Sequence, residues 1–177
     1  MSDSIGAVSA LLEATKASTD SLAGQYLTFR LADEEHGLEI LKVREIIGLM
    51  PITKVPHTPE HVRGVLNLRG KIIPVVDLRL KFGLPSVEDT MHTCIIVLEV
   101  KVNERSMQMG VIVDQVLEVR HVPADAIEPP PSFGLAVDTR FILGLGKMGS
   151  SIVLLLDVDR VLSTGELAEI DEMAACA

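Results

Sequence analysis

The two halves of the 177-residue chain carry matching residues at nearly constant spacing. The matches fall into three blocks, with offsets of 73, 67 and 80 positions. They join Gly37 and Glu45 to Gly110 and Glu118, Val55-Pro56 to Val122-Pro123, and Gly64, Ile72 and Asp77 to Gly144, Ile152 and Asp157. The second half has 13 extra residues between Pro123 and Gly144, which include Pro129-Pro130-Pro131. The sequence therefore predicts a duplicated structural unit.

Each half contains five short β-rich runs that end at turn residues. They cover residues 26–31, 37–41, 43–50, 65–68 and 71–78 in the first half, and 93–100, 107–113, 116–122, 141–145 and 151–156 in the second. A short isolated sheet leaves its edges unpaired and buries little core, whereas closure into a barrel removes both problems. We therefore expect an all-β fold with short helices, built from two pseudo-repeated five-stranded barrels.

The domain boundaries follow from the same pattern. We expect one domain over residues 25–163, with barrel subdomains at about 25–85 and 92–163. Residues 1–24 are rich in Ala, Ser and Thr and predict a flexible leader. Residues 164–177 carry Leu167, Ile170 and Met173 at helical spacing among acidic residues, which predicts a C-terminal helix or tail. Short helices are expected at 78–82, at 157–162, and after Thr58 with Pro59 as first residue.

Charge and composition exclude several partners. Lys and Arg number 16 against 25 Asp and Glu, so the formal net charge of −9 repels nucleic-acid phosphates and anionic lipids. Aromatic residues make up only 3% of the chain, too few for base-stacking platforms. No apolar run approaches the roughly 18 residues of a membrane helix. We expect no nucleic-acid partner, no direct membrane insertion and, with only two separated cysteines, a cytoplasmic location.

An enzymatic alternative comes from one short motif. His57-Thr58-Pro59-Glu60-His61 reads H-x-x-E-H, a zinc protease pattern that needs both histidines on one helix face. Pro59 suits the first position of a helix and leaves His57 outside it. A solvated turn is the alternative interpretation. Cys94 lies within an apolar run typical of a core strand, and no phosphate-binding glycine motif is present, so we expect no catalytic residues.

The most informative stretch is Val65-Leu66-Asn67-Leu68-Arg69-Gly70, followed by Ile72-Ile73-Pro74-Val75-Val76-Asp77. Arg69-Gly70 predicts a tight hairpin turn in which Gly70 takes a positive φ and Arg69 projects into solvent. Pro74 predicts a sheet edge or a bulge, because it cannot donate to a ladder. An exposed arginine at such a turn serves either binding or only solubility.

These residues, with 37–46 upstream and 110–114 and 141–146 downstream, closely resemble the CheW family of bacterial chemotaxis coupling proteins. The resemblance covers about residues 25–163. His36 departs from it, because the family usually has an aromatic residue before the glycine at this place. The resemblance implies two SH3-like barrels, no catalytic activity and no cofactor.

The resemblance also implies partners. They are the regulatory domain of a CheA-type histidine kinase and the cytoplasmic tip of chemoreceptors, so that the chain is an adaptor recruited to membrane-bound receptor arrays. A CheW-like coupler of another pathway, in pilus motility or development, is equally compatible with the sequence. A zinc hydrolase and an SH3-like nucleic-acid binder are the remaining alternatives.

Carried over by motif, the receptor-binding residues divide into two groups. Ile40, Val43 and Glu45 belong to the first-half strand associated with receptor binding, and Gly64, Asn67, Arg69 and Gly70 form the N-L-R-G signature beside it. An apolar groove with Ile40 and Val43 is expected to take the side of a receptor helix, with Glu45 and Arg69 at its rim. Ile40 and Val43 are equally compatible with ordinary core positions, and Glu45 with a surface ion pair.

Overall fold

Eleven strands lie in the part of the chain that the computed structural model describes, which comprises residues 6, 8, 24–102, 104–129 and 141–161. The strands are β1 Gln25–Leu31, β2 Glu34–Glu39, β3 Val43–Gly48, β4 Val62–Leu68, β5 Lys71–Asp77, β6 Cys94–Val102, β7 Arg105–Val113, β8 Gln115–His121, β9 Ile127–Glu128, β10 Ile142–Met148 and β11 Ser151–Leu156. Short helices cover Leu78–Lys81 and Val158–Val161, and 3₁₀ turns cover Ile40–Lys42 and Ala124–Ala126. None of the described helices has the length and hydrophobicity needed to cross a membrane.

The strands form two sheets of equivalent strand order. One sheet runs β8-β1-β2-β11-β10-β9, and the other runs β3-β6-β7-β5-β4. The parallel pairing repeats as well, since Leu155 of β11 lies opposite Gly37 and Val75 of β5 lies opposite Gly110. These pairs are related by the offsets of 80 and 73 positions seen in the sequence. The predicted all-β fold of two pseudo-repeated SH3-like barrels with short helices is confirmed.

Each sheet nevertheless contains strands from both halves of the chain. The hairpin β1–β2 of the first half pairs with β8 and β11, while the hairpin β6–β7 of the second half pairs with β3 and β5. The two repeats have thus exchanged their first hairpins. The ranges 25–85 and 92–163 proposed for the two barrels do not coincide with either sheet, and this pairing corrects them.

Both exchanged hairpins bury two faces, which explains their unbroken apolar runs. In β6, Cys94, Ile96 and Leu98 face a large cluster between the sheets, while Ile95 and Val97 face a second cluster inside one barrel. A third cluster around Tyr26, Val122, Val153 and Leu155 fills the other barrel. The core thus has three apolar layers, one between the sheets and one inside each barrel.

Val8 belongs to the central apolar layer, where its side chain is buried. Gly6 and Val8 have helical backbone. The flexible leader predicted for residues 1–24 is therefore wrong at this position, because an apolar side chain in the central core is held by packing. The rest of that segment and the predicted C-terminal helix at 164–177 lie outside the described residues.

A carboxylate holds the end of each exchanged hairpin. Asp114 accepts the backbone N–H of Ala32, at 2.8 Å, and is paired with Arg79, whose Nη2 lies 2.6 Å from it. At the equivalent place, Asp159 accepts the N–H of Lys101 at 3.1 Å and pairs with Lys42 at 3.0 Å. Partial burial raises the pKa of Asp114, but the Arg79 guanidinium and the Ala32 N–H together outweigh it and hold the pKa below its usual value. The Asp114 clamp thus joins the β1–β2 hairpin to the second repeat, whereas Asp159 holds the β6–β7 hairpin to its own repeat and, through Lys42, to the first repeat.

Two local predictions have different outcomes. The helix at Leu78–Lys81 forms as expected, and Asp77 caps it by accepting from the N–H groups of Arg79 and Leu80. Pro74 was expected at an edge or a bulge, yet it lies in β5, between β4 and β7. The hydrogen-bonded ladder between β5 and β7 starts at Val75, the residue that follows Pro74. Pro74 therefore needs no backbone N–H for pairing with β7.

Candidate functional site

An ion pair between Glu45 and Arg69 connects the two outer strands of the β3-β6-β7-β5-β4 sheet. Glu45 lies in β3, and Arg69 lies in the turn after β4. The guanidinium is bidentate, with Nη1 donating to Oε1 at 2.7 Å and Nη2 donating to Oε2 at 2.8 Å. The barrel formed by this sheet is called the first barrel, and the line along which its strands β3 and β4 approach each other is called its seam. The ion pair closes this seam at the hairpin tip.

The turn that carries Arg69 is built by its neighbours. Arg69 and Gly70 have φ values of 52° and 86°, and they join the paired residues Leu68 and Lys71. Positive φ at both central residues is typical of the two-residue hairpin turns that match strand twist. Asn67 Oδ1 accepts the N–H of Gly70 at 2.8 Å and holds the turn. The predicted hairpin turn with an exposed Arg69 is confirmed. The sequence predicted a positive φ for Gly70 but not for Arg69, which also has one.

Gly64 closes the seam at its other end. Thr53 and Val65 exchange two backbone hydrogen bonds of 2.8 and 2.9 Å, which join the segment after β3 to β4. Gly64 lies at a register shift with φ of 142°, and a Cβ there would lie 2.1 Å from the carbonyl oxygen of Thr53. Only glycine admits this approach of two backbones. Gly64 therefore has a structural role in the seam.

The electrostatics of the ion pair follow from its position. The hydrogen bonds from Arg69 lower the pKa of Glu45, with burial as a smaller opposing effect. The Arg69 side chain is 72% exposed, so water and salt screen the pair and its contribution to stability is small. Two of the five guanidinium N–H groups suffice for Glu45, which leaves donors directed to solvent. The geometry holds an exposed cation in one orientation.

Ile40 and Val43 do not form the expected apolar groove. Their side chains are 1% and 0% exposed and pack in the core between the two sheets. The intervening Leu41 is 60% exposed instead. Both residues occupy the core positions that the sequence left open as the alternative, and the 3₁₀ turn over Ile40–Lys42 interrupts the strand alternation between them. Leu41 is a surface residue that the sequence pattern did not single out.

The H-x-x-E-H stretch lacks the helix that zinc chemistry requires. His57 has a φ of 62°, and both histidines lie in turns. Thr58 was expected to cap a helix, but its hydroxyl donates to the carbonyl of Val55 at 2.9 Å. Among residues 24–102, 104–129 and 141–161, no three His, Cys, Asp or Glu side chains come close enough to hold a metal ion. Burial raises the pKa of the Cys94 thiol to about 11, which keeps it unreactive at neutral pH.

Most of the chain is similar in sequence to one family of known proteins. Residues 25–166 match the family model described as a CheW-like domain. The chemotaxis protein CheW of Klebsiella aerogenes is 37% identical over 164 residues, which are 93% of this chain and 96% of that protein. CheW of Rhizobium meliloti is 34% identical over 142 residues, 80% of this chain and 89% of that protein.

A solved structure agrees with the sequence matches. The crystal structure of the scaffolding protein TtCheW from Thermoanaerobacter tengcongensis superposes with a TM-score of 0.71 at 36% identity, covering 79% of this chain and 88% of that one. The residues 25–166 matched by the family model include the duplicated unit and its N-L-R-G turn. The chain belongs to the CheW family.

Proposed function

We propose that this protein is a non-enzymatic adaptor that couples the cytoplasmic tips of chemoreceptors to the regulatory domain of a CheA-type histidine kinase. The observation that carries the proposal is the seam of the first barrel, where the N-L-R-G turn presents Arg69 to solvent in an orientation set by Glu45. Family membership supports the same function, since relatives at 37% and 34% identity are named chemotaxis proteins.

The mechanism requires binding alone. An adaptor that holds a receptor and a kinase together raises their effective concentration, and it favours the kinase conformation that fits the complex. The exchanged hairpins make the two barrels one interlocked body, so a partner on one barrel is held in fixed orientation to a partner on the other. Ile40 and Val43 contribute to this function by packing the hairpin, while Glu45, Asn67, Arg69 and Gly70 form the contact surface.

Calorimetric titration of the protein with the regulatory domain of the CheA kinase from the same organism tests the proposal. We expect saturable binding at a stoichiometry near one to one. If a folded protein does not bind a kinase domain that is shown to be competent, the proposed coupling to CheA is wrong. A CheW-like coupler of another pathway would then be the function to test.

Reversing the charge of Arg69 should weaken receptor coupling while the fold is retained. In Arg69→Glu, two carboxylates face each other across the seam, so the hairpin tip loses its fixed orientation. We expect receptor-dependent activation of the kinase to fall about tenfold, as for the loss of one charged interface contact. The double variant Glu45→Arg/Arg69→Glu restores the pair and should recover part of this activation.

Arg44→Glu is the matched control for this experiment. Arg44 lies in the same strand as Glu45 and forms an exposed ion pair with Glu99 away from the hairpin tip. The control variant changes the net charge equally and should keep activation near that of the unmodified protein. Equal activation in folded Arg69→Glu and Arg44→Glu variants would contradict a role for Arg69 in coupling.

A further inference from the structure

The β1–β2 hairpin is joined to the strand that follows it by one short connection. Its two strands lie in the sheet that also contains β8, β9, β10 and β11, whereas β3 to β7 form the other sheet. The chain leaves the hairpin through the 3₁₀ turn Ile40–Lys42, which we call the hinge. Both strands that flank the hairpin, β8 and β11, follow the whole of the first barrel in sequence. The hairpin is thus a separate element within its sheet.

The polar contacts of the hairpin are made to the same distant part of the chain. The Thr28 hydroxyl donates to the carbonyl of Glu118 at 2.8 Å, and the N–H of Ala32 donates to Asp114 at 2.8 Å. A second copy of the protein offers the same acceptors and the same two strand edges in the same geometry. The hairpin of one copy can therefore make these contacts in another copy.

The apolar contacts of the hairpin determine how such an exchange takes place. Leu27, Phe29, Leu31 and Leu38 are at most 1% exposed and pack in the central apolar layer. Release of the hairpin from a folded monomer exposes all four side chains to water, so exchange in the native state is slow. In an exchanged dimer the same side chains are buried again, because each hairpin fills the place that the other one left.

The hinge is the part whose conformation differs between a monomer and an exchanged dimer. In the monomer it forms a corner, held in part by the ion pair between Lys42 and Asp159. Both partners are partly exposed, so this pair contributes little to stability. Glu39, which precedes the hinge, experiences the like charges of Asp157 and Asp159. Leu41 in the middle of the hinge is 60% exposed. The corner is therefore only weakly held.

We propose that two copies of this protein form a dimer by exchanging their β1–β2 hairpins, so that each hairpin lies between β8 and β11 of the other copy. The dimer repeats between two chains the exchange that the two repeats make within one chain. The inference goes beyond the proposed function and does not depend on it. The seam of the first barrel consists of β3 and β4, which do not move, so the dimer carries two complete seams and binds partners bivalently.

Refolding at two protein concentrations tests the proposal. The protein is unfolded in urea, refolded at about 500 µM or about 5 µM, and brought to equal concentration for size-exclusion chromatography with light scattering. We expect a dimer in the concentrated sample that persists for hours after dilution, because its dissociation requires release of the buried hairpins. Absence of a dimer, or a dimer that dissociates within minutes of dilution, would overturn the exchange.

Lengthening the hinge should reduce the amount of dimer. An insertion of Gly-Ser-Gly after Leu41 makes the corner easier to turn and should lower the dimer fraction about fivefold. The same insertion after Val87 is the matched control, because Val87 is exposed and lies between β5 and β6, two strands of the same sheet. We expect the control to change the dimer fraction less than about twofold. Equal effects of the two insertions would contradict the role of the hinge.

A disulfide distinguishes exchange from association of closed monomers. Arg30 of β1 lies opposite Gln115 of β8, and Cα atoms of such pairs are about 4.5–5.5 Å apart, within disulfide range. The variant Arg30→Cys/Gln115→Cys, in a Cys176→Ser background, is separated under reducing conditions into monomer and dimer, and each is then oxidised. We expect a disulfide within one chain in the monomer and between two chains in the dimer, which a non-reducing denaturing gel separates. A disulfide within one chain in the dimer fraction would overturn the exchange, while the titration with the kinase domain is unaffected by either result.

Discussion

Replacing Gly64 by alanine is expected to lower the free energy of unfolding by about 4 kcal/mol, from backbone strain together with forced displacement of a packed neighbour. A Cβ at Gly64 would lie 2.1 Å from the carbonyl oxygen of Thr53 and 2.7 Å from its carbonyl carbon. Both atoms belong to backbone that is hydrogen-bonded to Val65, so no side-chain rotation relieves the overlap. The segment after β3 has to move away from β4, which opens the seam.

Gly70→Ala is the control for this prediction. Gly70 also has a positive φ, of 86°, but a Cβ there meets no atom within 4 Å. Its substitution should cost only the strain of an alanine in the left-handed region, about 1 kcal/mol. Urea denaturation of both variants, followed by circular dichroism, measures the difference. Similar midpoints for the two variants would contradict the role of the Thr53 contact.

Acidification from pH 7 to pH 4 should cost the protein about 3 kcal/mol through His36 alone. Burial lowers the pKa of His36 from 6.5 to about 4, and an interaction with the Glu34 backbone opposes this only partly. The imidazole is 4% exposed, stacks between Phe29 and Phe82 at ring distances of 5.6 and 6.0 Å, and its Nδ1 has no hydrogen-bond partner in the described part of the chain. A charged imidazole is therefore disfavoured at this place.

The sign of the effect follows from where the proton binds. Between pH 6.5 and pH 4 the unfolded chain binds a proton that the folded protein excludes, so the stability is fully present above pH 6.5 and is lost as the pH falls toward 4. Each unit between the two pKa values corresponds to about 1.4 kcal/mol. Asp114 and Glu45 also titrate in acid, because their pKa values are lowered, and their loss adds to that from His36.

His36→Phe isolates the histidine contribution. Phenylalanine keeps a flat ring between Phe29 and Phe82, removes the unpaired nitrogen and has no proton to gain. We expect the variant to retain at pH 4 about 3 kcal/mol more of its neutral-pH stability than the unmodified protein does. Urea denaturation at several pH values measures this, and the acid titration of carboxylates cancels between the two proteins. Parallel pH profiles would show that His36 is not the group responsible.

The sequence alone predicted the local features of the fold. Alternating and continuous apolar runs located most of the strands, and the matched glycines at offsets of 73 and 80 positions predicted equivalent places in two sheets. Asn67-Leu68-Arg69-Gly70 predicted its own turn, because positive φ values and an Asn side chain that accepts from Gly70 are properties of neighbouring residues. Each of these features depends on interactions over a few residues.

Only part of the candidate site could be predicted from the sequence. Arg69 was expected to be exposed, but its pairing with Glu45 joins residues 24 positions apart in sequence and depends on the closure of the barrel. Ile40 and Val43 were equally compatible with a groove and with the core, and the packing of the two sheets buries both. Burial of a strand residue depends on what covers its face, and the covering elements come from distant parts of the chain.

The exchange of hairpins is the feature that only the tertiary structure decided. The β1–β2 hairpin can pair with strands of its own repeat or with strands of the other repeat, because the two repeats are equivalent. The hydrogen bonds of a β-ladder do not depend on side-chain identity. The hydrogen bond from Ala32 to Asp114 holds the β1–β2 hairpin to the second repeat, and the ion pair between Lys42 and Asp159 joins the two repeats at another place. Local periodicity therefore determined which segments become strands, while long-range packing and charge pairing determined which strands became neighbours.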